Sequence, residues 1–202
     1  MRKDSVKSST GAKGQTRSGV VDVRSEASLV GAGEMAERIR TFDWSKSSLG
    51  AIEDWPQSLK IAVEIMLGAS SRIAIYWGPE LILLYNNAWS ELIGSKHPRA
   101  LGEPAEAVFP EVWDAIGPKF EKVLAGRGSV HERDQLLPLD RGGQVEDAWF
   151  DCSFNPIPDQ DGWVGGVLSI ALETTEKLRA GEALKEANEQ LAAKAEDHAA
   201  AS

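Results

Sequence analysis

The sequence predicts an α+β fold: a five-stranded antiparallel sheet with helices on one side, N-terminal cap helices and a C-terminal exit helix. Two short apolar runs, at 73–77 and 81–85, have the length of strands. Helical patterns follow them, and three further strand patterns lie between 130 and 172. Strands and helices that are grouped rather than strictly alternating are typical of this class.

Composition divides the 202 residues into four segments. Residues 1–30 are rich in Ser, Gly, Lys and Thr, and we expect a disordered tail because they offer little apolar surface to bury. Residues 31–69 are predicted to form the cap helices, and residues 70–172 the sheet domain. Residues 173–202, which are dominated by Ala, Glu, Lys and Leu, predict a coiled-coil-like helix.

Each cap helix is predicted from its apolar spacing. Over 33–42, Met35, Ile39 and Phe42 lie roughly on one face. A second helix ends at Gly68, and Asp54 is its predicted N-cap, with Pro56 in the first turn.

The apolar runs at 73–77 and 81–85 predict a hairpin, because Gly78-Pro79-Glu80 between them has the composition of a turn. A short helix is expected over 86–93. A longer helix is predicted to open at Pro110 and to end at Gly126. Pro118 in its middle should kink or break it, since proline donates no backbone hydrogen bond.

Three strands are predicted in the last third of the sheet domain. The alternation is weak over 130–137. It is clear over 144–154, where Phe150, Cys152 and Phe154 share one face. The third strand covers 163–172.

The exit helix carries a pattern of its own. Leu184, Asn188 and Leu191 follow one another at intervals of four and three residues, the spacing of a coiled-coil seam, and they predict a dimer helix. The pattern covers about two heptads, fewer than the three or four that define a coiled coil. A lone solvated helix is therefore the alternative.

Charge and cysteine content exclude several classes of function. The net charge is −9, with +3 on residues 1–30 and −12 on the rest. Because the body is acidic, we expect no nucleic-acid partner and no adhesion to anionic membranes. The single Cys152 excludes an internal disulfide and a multi-cysteine metal site, and it fits the reducing cytoplasm. Neither membrane insertion nor a signal peptide is predicted, and the three His show no metal-ligand spacing.

Several short strings occur in the order of these elements: Phe42–Ser45, Trp55–Leu59, Trp77–Leu81, Leu84–Ala88, Phe109–Trp113 and Ser153–Ile157. Together with the layout, they resemble the PAS sensor domain, in the subgroup found at the N-terminus of bacterial sensor histidine kinases. The resemblance covers roughly residues 33–192, and it identifies 70–172 as the PAS-like sensor domain.

The resemblance implies a non-catalytic sensory module, the input part of a two-component system. Such a domain detects a ligand or partner and passes the change to its exit helix. Glu173, Thr174 and Thr175 stand at the predicted signal junction between sheet and helix. The expected partners are a second copy of the chain, in a homodimer, and a histidine kinase or other signalling protein. Related chains continue into phosphoacceptor and ATP-binding domains, which are absent here, so no enzyme activity is expected.

The resemblance also implies a ligand pocket between the sheet and the helices. The candidates are mostly aromatic, with an amide and a thiol as polar groups: Tyr85, Asn86, Trp89, Trp113, Phe120, Phe150, Cys152 and Phe154. The alternative is that these side chains fill the space completely. The domain would then be a stand-alone protein–protein interaction adaptor without a ligand.

No fixed cofactor is predicted, although an unidentified small ligand stays open. A flavin-reactive PAS domain needs a Cys on the helices after the second strand, whereas Cys152 lies on a late strand. Haem binding usually needs a His on or near the long helix, and residues 110–125 contain none. No nucleophile is paired with a base by motif, so no catalytic residue is proposed.

Overall fold

The described part of the chain, residue 29 with residues 31–141 and 144–200 of this computed structural model, is built around one five-stranded antiparallel sheet. Its strand order is β2-β1-β5-β4-β3. The strands are β1 (Arg72–Trp77), β2 (Ile82–Tyr85), β3 (Val130–Arg141), β4 (Gln144–Pro158) and β5 (Val164–Glu173). The predicted fold class is confirmed.

The helices precede, interrupt and follow the sheet strands. They are α1 (Glu34–Thr41), α2 (Gln57–Gly68), α3 (Asn87–Ile93), α4 (Ala105–Val108), α5 (Trp113–Leu124) and α6 (Thr175–Ala200). The predicted tail lies outside the described residues except for Leu29, which is buried and whose carbonyl accepts a hydrogen bond from Arg40 at 3.3 Å.

Two local predictions about the helices are wrong. Asp54 does not cap α2, because it ends a 3₁₀ turn and the extended Pro56 is the cap residue instead. The long helix begins at Trp113 rather than at Pro110, and it is not broken at Pro118. Pro118 lies in the second turn and removes one hydrogen bond. Farther along the helix, Phe120 and Val123 are buried in the core and anchor it.

A β-bulge explains the weak alternation of β3. Glu132 pairs with Cys152 and Gln135 pairs with Phe150, so β3 contains one residue more than β4 at this point. Asp134 takes up the extra residue with a φ of 50°, and its backbone N–H donates to Asp151 Oδ1 at 3.0 Å. As a consequence, Glu132 and Gln135 face the same side of the sheet although they are three residues apart.

The core is continuous across the sheet. All residues of β1 from Ile73 to Trp77 are buried, so both faces of this strand are covered. The helices α2 and α3 pack against β1, and α5 packs against β4 and β5. The helices α3 and α5 thereby approach the same sheet from separate positions, and a space remains between them.

Candidate functional site

A cavity of about 370 Å³ lies between the sheet and the helices α3 and α5. This volume is within the range of small-molecule sites. Its walls are mostly apolar, and they contain five aromatic side chains: Tyr76, Trp89, Phe109, Phe120 and Phe154. The Phe120 ring lies between its neighbours, with its centroid 4.6 Å from that of Tyr76 and 5.3 Å from that of Phe154.

The remaining wall residues divide into an aliphatic group and a polar group. The aliphatic group consists of Leu92, Ile93, Val112, Ile116, Leu137 and Ala171. The polar group consists of Ser95, Lys96, Glu111, Gln135, Cys152 and Ser169. The bulge in β3 brings Gln135 to this side of the sheet.

The charged residues of the wall form an ion pair at its exposed rim. Lys96 Nζ contacts Glu111 Oε1 and donates a second hydrogen bond to the Val108 carbonyl at 2.7 Å. Burial raises the pKa of the Glu111 carboxyl. The hydrogen bond and charge of Lys96, with a backbone hydrogen bond, outweigh burial and bring that pKa below its ordinary value. The pair therefore adds no net charge to the cavity.

Three buried polar groups on the cavity wall have no hydrogen-bond partner among the described residues. One is the Trp89 indole N–H, which is itself buried. The others are the Tyr76 and Ser169 hydroxyls, on side chains that are 3% and 1% exposed. Burial is the main cause that raises the pKa of Tyr76, and the nearby Cys152 is a smaller one. The Tyr76 hydroxyl therefore stays protonated. Burial raises the pKa of Cys152 to about 11, so the sulfur is a neutral thiol at neutral pH.

Of the eight predicted pocket residues, four line the cavity: Trp89, Phe120, Cys152 and Phe154. Trp89 comes from α3, Phe120 from α5, and the other two from β4. The prediction placed Cys152 and Phe154 on one face of a strand because side chains alternate along it. In the structure that face of β4 borders the cavity.

The other four predicted residues are buried or half-buried outside this wall. The Tyr85 hydroxyl, on the edge strand β2, lies 3.0 Å from His97 Nδ1 and so contacts a loop. Trp113 stacks against Phe120, with ring centroids 5.9 Å apart. Phe150 is fully buried, and the Arg72 guanidinium carbon lies 6.0 Å from the centre of its ring.

Asn86, the fourth of these, has a structural role. It is the N-cap of α3, and its Oδ1 accepts from the backbone N–H groups of Trp89 and Ile73 at 3.0 and 3.2 Å. Its Nδ2 donates to the carbonyls of Met66, Ala69 and Ser71 at 2.7–3.2 Å. We call Asn86 with these five bonds the Asn86 hub. No part of this amide is left for a ligand.

Sequence reasoning missed several wall residues. Tyr76 and Ser169 lie diagonally opposite on β1 and β5, because Tyr76 pairs with Val167 and Ala74 pairs with Ser169. The available signal was Ser169 itself, a polar residue inside an apolar run. Lys96 and Glu111 lie in separate connecting segments, and no pattern joins them.

The predicted junction residues connect the sheet to α6. The Thr174 N–H donates to the Trp149 carbonyl at 2.7 Å, and the Trp149 N–H donates to Thr175 Oγ1 at 2.9 Å. Both threonines are buried. Glu173 Oε2 lies 3.5 Å from Arg72 Nη2, and Glu91 Oε2 of α3 lies 3.4 Å from the same nitrogen. The start of α6 is therefore fixed to β4 and joined through Arg72 to α3.

The helix α6 leaves the sheet with its predicted seam in solvent. Leu184 and Leu191 are each 64% exposed, and Asn188 between them is also exposed. Within the described ranges, no group of three or more His, Cys, Asp or Glu side chains could hold a metal ion. No helix of the same residues has the length and apolarity to cross a membrane.

Comparison with known proteins adds a family and several similar folds. A family model described as the PAS fold matches residues 67–179. An RNA-binding Light-Oxygen-Voltage receptor is 22% identical (TM-score 0.45; 68% of this chain, 37% of the receptor). The Vibrio cholerae VqmA dimer is 15% identical (TM-score 0.46; 59% and 52%), and a sensory box sensor histidine kinase from Vibrio cholerae is 17% identical (TM-score 0.43; 58% and 92%). The chain thus spans less than two thirds of the first two proteins. No curated protein matches it.

The prediction that an acidic body excludes nucleic acid as a partner is wrong. Two of these similar structures are described as an RNA-binding receptor and in terms of the DNA-binding mechanisms of LuxR-type receptors. Those descriptions concern those proteins alone. The physical reason for the error is that net charge averages over a surface, whereas binding depends on where basic groups cluster.

Proposed function

The chain belongs to the PAS family, whose model matches more than half of its 202 residues, and we propose that it is the non-catalytic sensory input module of a bacterial two-component system. The predicted family is confirmed. In this proposal the cavity receives a small ligand, and α6 carries the response to a histidine kinase or another signalling protein. The single buried thiol, Cys152, suits a reducing cytoplasm.

One observation carries the proposal: a continuous set of contacts runs from the cavity wall to the exit helix. The helix α3 supplies Trp89 to the wall and, two residues later, Glu91 to the ion pair with Arg72. Arg72 also pairs with Glu173, which directly precedes the junction threonines. A ligand that displaces α3 changes the position of Arg72 and, through it, the start of α6. Contiguous packed and hydrogen-bonded groups of this kind can couple two sites.

The output step that we propose is a change in how two copies of α6 pair. The exposed Leu184, Asn188 and Leu191 form a stripe with coiled-coil spacing, and pairing would remove the two leucines from water. A polar Asn at a seam position fixes register at some cost in stability. A small shift at the junction can then alter the register of the pair.

Sedimentation of the whole chain tests the output step. We expect Leu184→Asp to yield monomer at concentrations where the parent chain is a dimer, because a carboxylate in the seam would be buried without a partner. Ala193→Asp, which adds the same charge off the seam, should leave the dimer unchanged. A parent chain that is monomeric, or a dimer that withstands Leu184→Asp, would contradict pairing through this stripe.

Native mass spectrometry tests the sensory step. We expect the chain, as purified or after incubation with a bacterial metabolite extract, to retain a small molecule that Ala171→Leu no longer retains. Ala171 lines the cavity, so the larger side chain occupies ligand space. The packed-core adaptor is the alternative function. A chain that retains nothing would favour it, whereas a cavity of about 370 Å³ favours the ligand.

A further inference from the structure

We infer that the cavity takes an uncharged, planar ring compound that carries a hydrogen-bond acceptor. This inference deepens the proposed sensory function and rests on it. Three independent properties of the wall define the ligand class: its charge, its unpartnered donors and its aromatic content.

The charge of the wall excludes an ionic ligand. Lys96 and Glu111 are its formally charged members among the described residues, and each is the ion-pair partner of the other. Lys96 also donates to the Val108 carbonyl, so its ammonium group is already engaged. A ligand carboxylate or ammonium inside the cavity would lose its hydration without gaining an opposite charge, which is strongly unfavourable.

The unpartnered donors call for an acceptor on the ligand. The Tyr76 and Ser169 hydroxyls belong to neighbouring strands and to one face of the sheet, because β1 and β5 pair Tyr76 with Val167 and Ala74 with Ser169. The Trp89 N–H also has no acceptor in the described structure, but its nitrogen has almost no surface open to the cavity, so the two hydroxyls are the donors within reach of a ligand. Buried polar groups in proteins almost always have a partner. A carbonyl, ring nitrogen or hydroxyl oxygen of the ligand would supply one.

The aromatic side chains favour a ring over a chain. Tyr76, Phe120 and Phe154 form a connected group of rings, and Trp89 and Phe109 belong to the same wall. Aromatic rings interact best with other rings in edge-to-face or offset arrangements. A flat ligand of one or two rings can make such contacts on several sides.

Three compounds of nearly equal shape test the charge requirement at neutral pH. They are 2-naphthamide, which is neutral, 2-naphthoate, which is an anion, and 2-naphthamidine, which is a cation. Calorimetric titration of the full chain should show binding of 2-naphthamide and at least about tenfold weaker binding of both ions. Protection of Cys152 from alkylation locates each bound compound in the cavity, since Cys152 lines it.

Two tyrosine variants test the hydrogen bond. Tyr76→Phe should weaken 2-naphthamide about three- to tenfold, the effect of one lost hydrogen bond. Tyr85→Phe is the matched control, because its hydroxyl contacts His97 outside the cavity wall, and it should leave the affinity unchanged. Equal affinity in the parent chain and in Tyr76→Phe would overturn the assignment of this donor.

The outcomes separate this inference from the proposed function. If an ion binds as tightly as 2-naphthamide and protects Cys152, the ligand class is overturned and the sensory cavity stands. The ligand class is also overturned, and the sensory cavity stands, if none of the three compounds binds but the chain retains a small molecule that Ala171→Leu loses. If none binds and none is retained, both proposals fail.

Discussion

The Asn86 hub and the cavity both involve the short helix α3, and they differ in how their polar groups are satisfied. At the hub, one amide makes five hydrogen bonds to backbone groups of α2, β1, α3 and the segment between α2 and β1. At the cavity, two hydroxyls and one indole N–H on buried side chains have no partner in the described part of the chain. The comparison shows that a fold can fix the backbone of a helix at its N-cap and still leave side-chain polar groups beside that helix without partners.

The two regions also differ in how closely their side chains are packed. Around the hub and the cap helices, Met35, Ala36, Ile39, Leu59 and Val63 have no exposed surface, whereas about 370 Å³ remains open beside Phe120 and Ala171. Close packing makes the first region sensitive to any change of volume. The open region can accept added atoms.

Asn86→Ala should lower the free energy of unfolding by about 3 kcal/mol or more, because it leaves several buried backbone donors and acceptors without a partner. Asn87→Ala is the neighbouring control. Asn87 Oδ1 accepts one hydrogen bond, from the Met35 N–H at 3.0 Å, so we expect a loss of about 1 kcal/mol or less. Urea denaturation measures both. Equal losses would show that Asn86 is not a hub in energetic terms.

Adding the same atoms in the two regions should have unequal effects. Ala36→Leu, in the closely packed cap, should cost about 1–3 kcal/mol of stability through overpacking. Ala171→Leu, on the cavity wall, should change stability by less than about 1 kcal/mol, since its side chain enters open space. Thermal and urea unfolding of both variants provides the measurement. A large loss for Ala171→Leu would mean that the cavity cannot accommodate added volume.

The smallest expected effect is a pH dependence at the cavity. The folded pKa of Cys152 is raised to about 11, so the folded state holds its thiol proton where the unfolded chain, with a thiol pKa of about 8.5, loses it. Stability from this group is complete below the unfolded pKa and declines as the pH rises from about 8.5 towards 11. We expect a loss of about 1 kcal/mol at pH 9.

In Cys152→Ala, the free energy of unfolding should fall less steeply with pH over this range. The raised pKa of Tyr76 also makes stability fall as the pH rises, so Tyr76→Phe should reduce the slope at higher pH. Equilibrium unfolding over a pH series measures both slopes. An unchanged slope in Cys152→Ala would show that its thiolate is not disfavoured by burial.

The sequence predicts the elements of this fold well, because each depends on local spacing. The apolar runs at 73–77 and 81–85 correspond to β1 and β2, and Phe150, Cys152 and Phe154 share a face of β4 as predicted. Local spacing also explains the misplaced start of α2. A 3₁₀ turn at Ile52–Asp54 and a helix N-terminus have similar composition, so the pattern alone does not distinguish them.

The candidate site could be predicted only in part, because it depends on pairing between distant segments. Tyr76 and Ser169 come together through the β1–β5 register, which joins strands about ninety residues apart and leaves no mark in either strand alone. The prediction selected Tyr85 instead of Tyr76, although β2 is an edge strand, since strand order is not visible in the sequence. The bulge at Asp134 changes which residues of β3 face the cavity, and it appears in the sequence only as irregular alternation.

The Lys96–Glu111 pair has a consequence for the speed of the sensor. The pair joins two walls of the cavity at its exposed rim, with the Lys96 side chain 33% and the Glu111 side chain 55% exposed. A ligand that passes between these walls must part the two charges before it arrives and again before it leaves. Because salt screens exposed charges, higher ionic strength should shorten both the association time and the residence time by similar factors. Ionic strength would then set the response time of the sensor while its threshold concentration stayed the same.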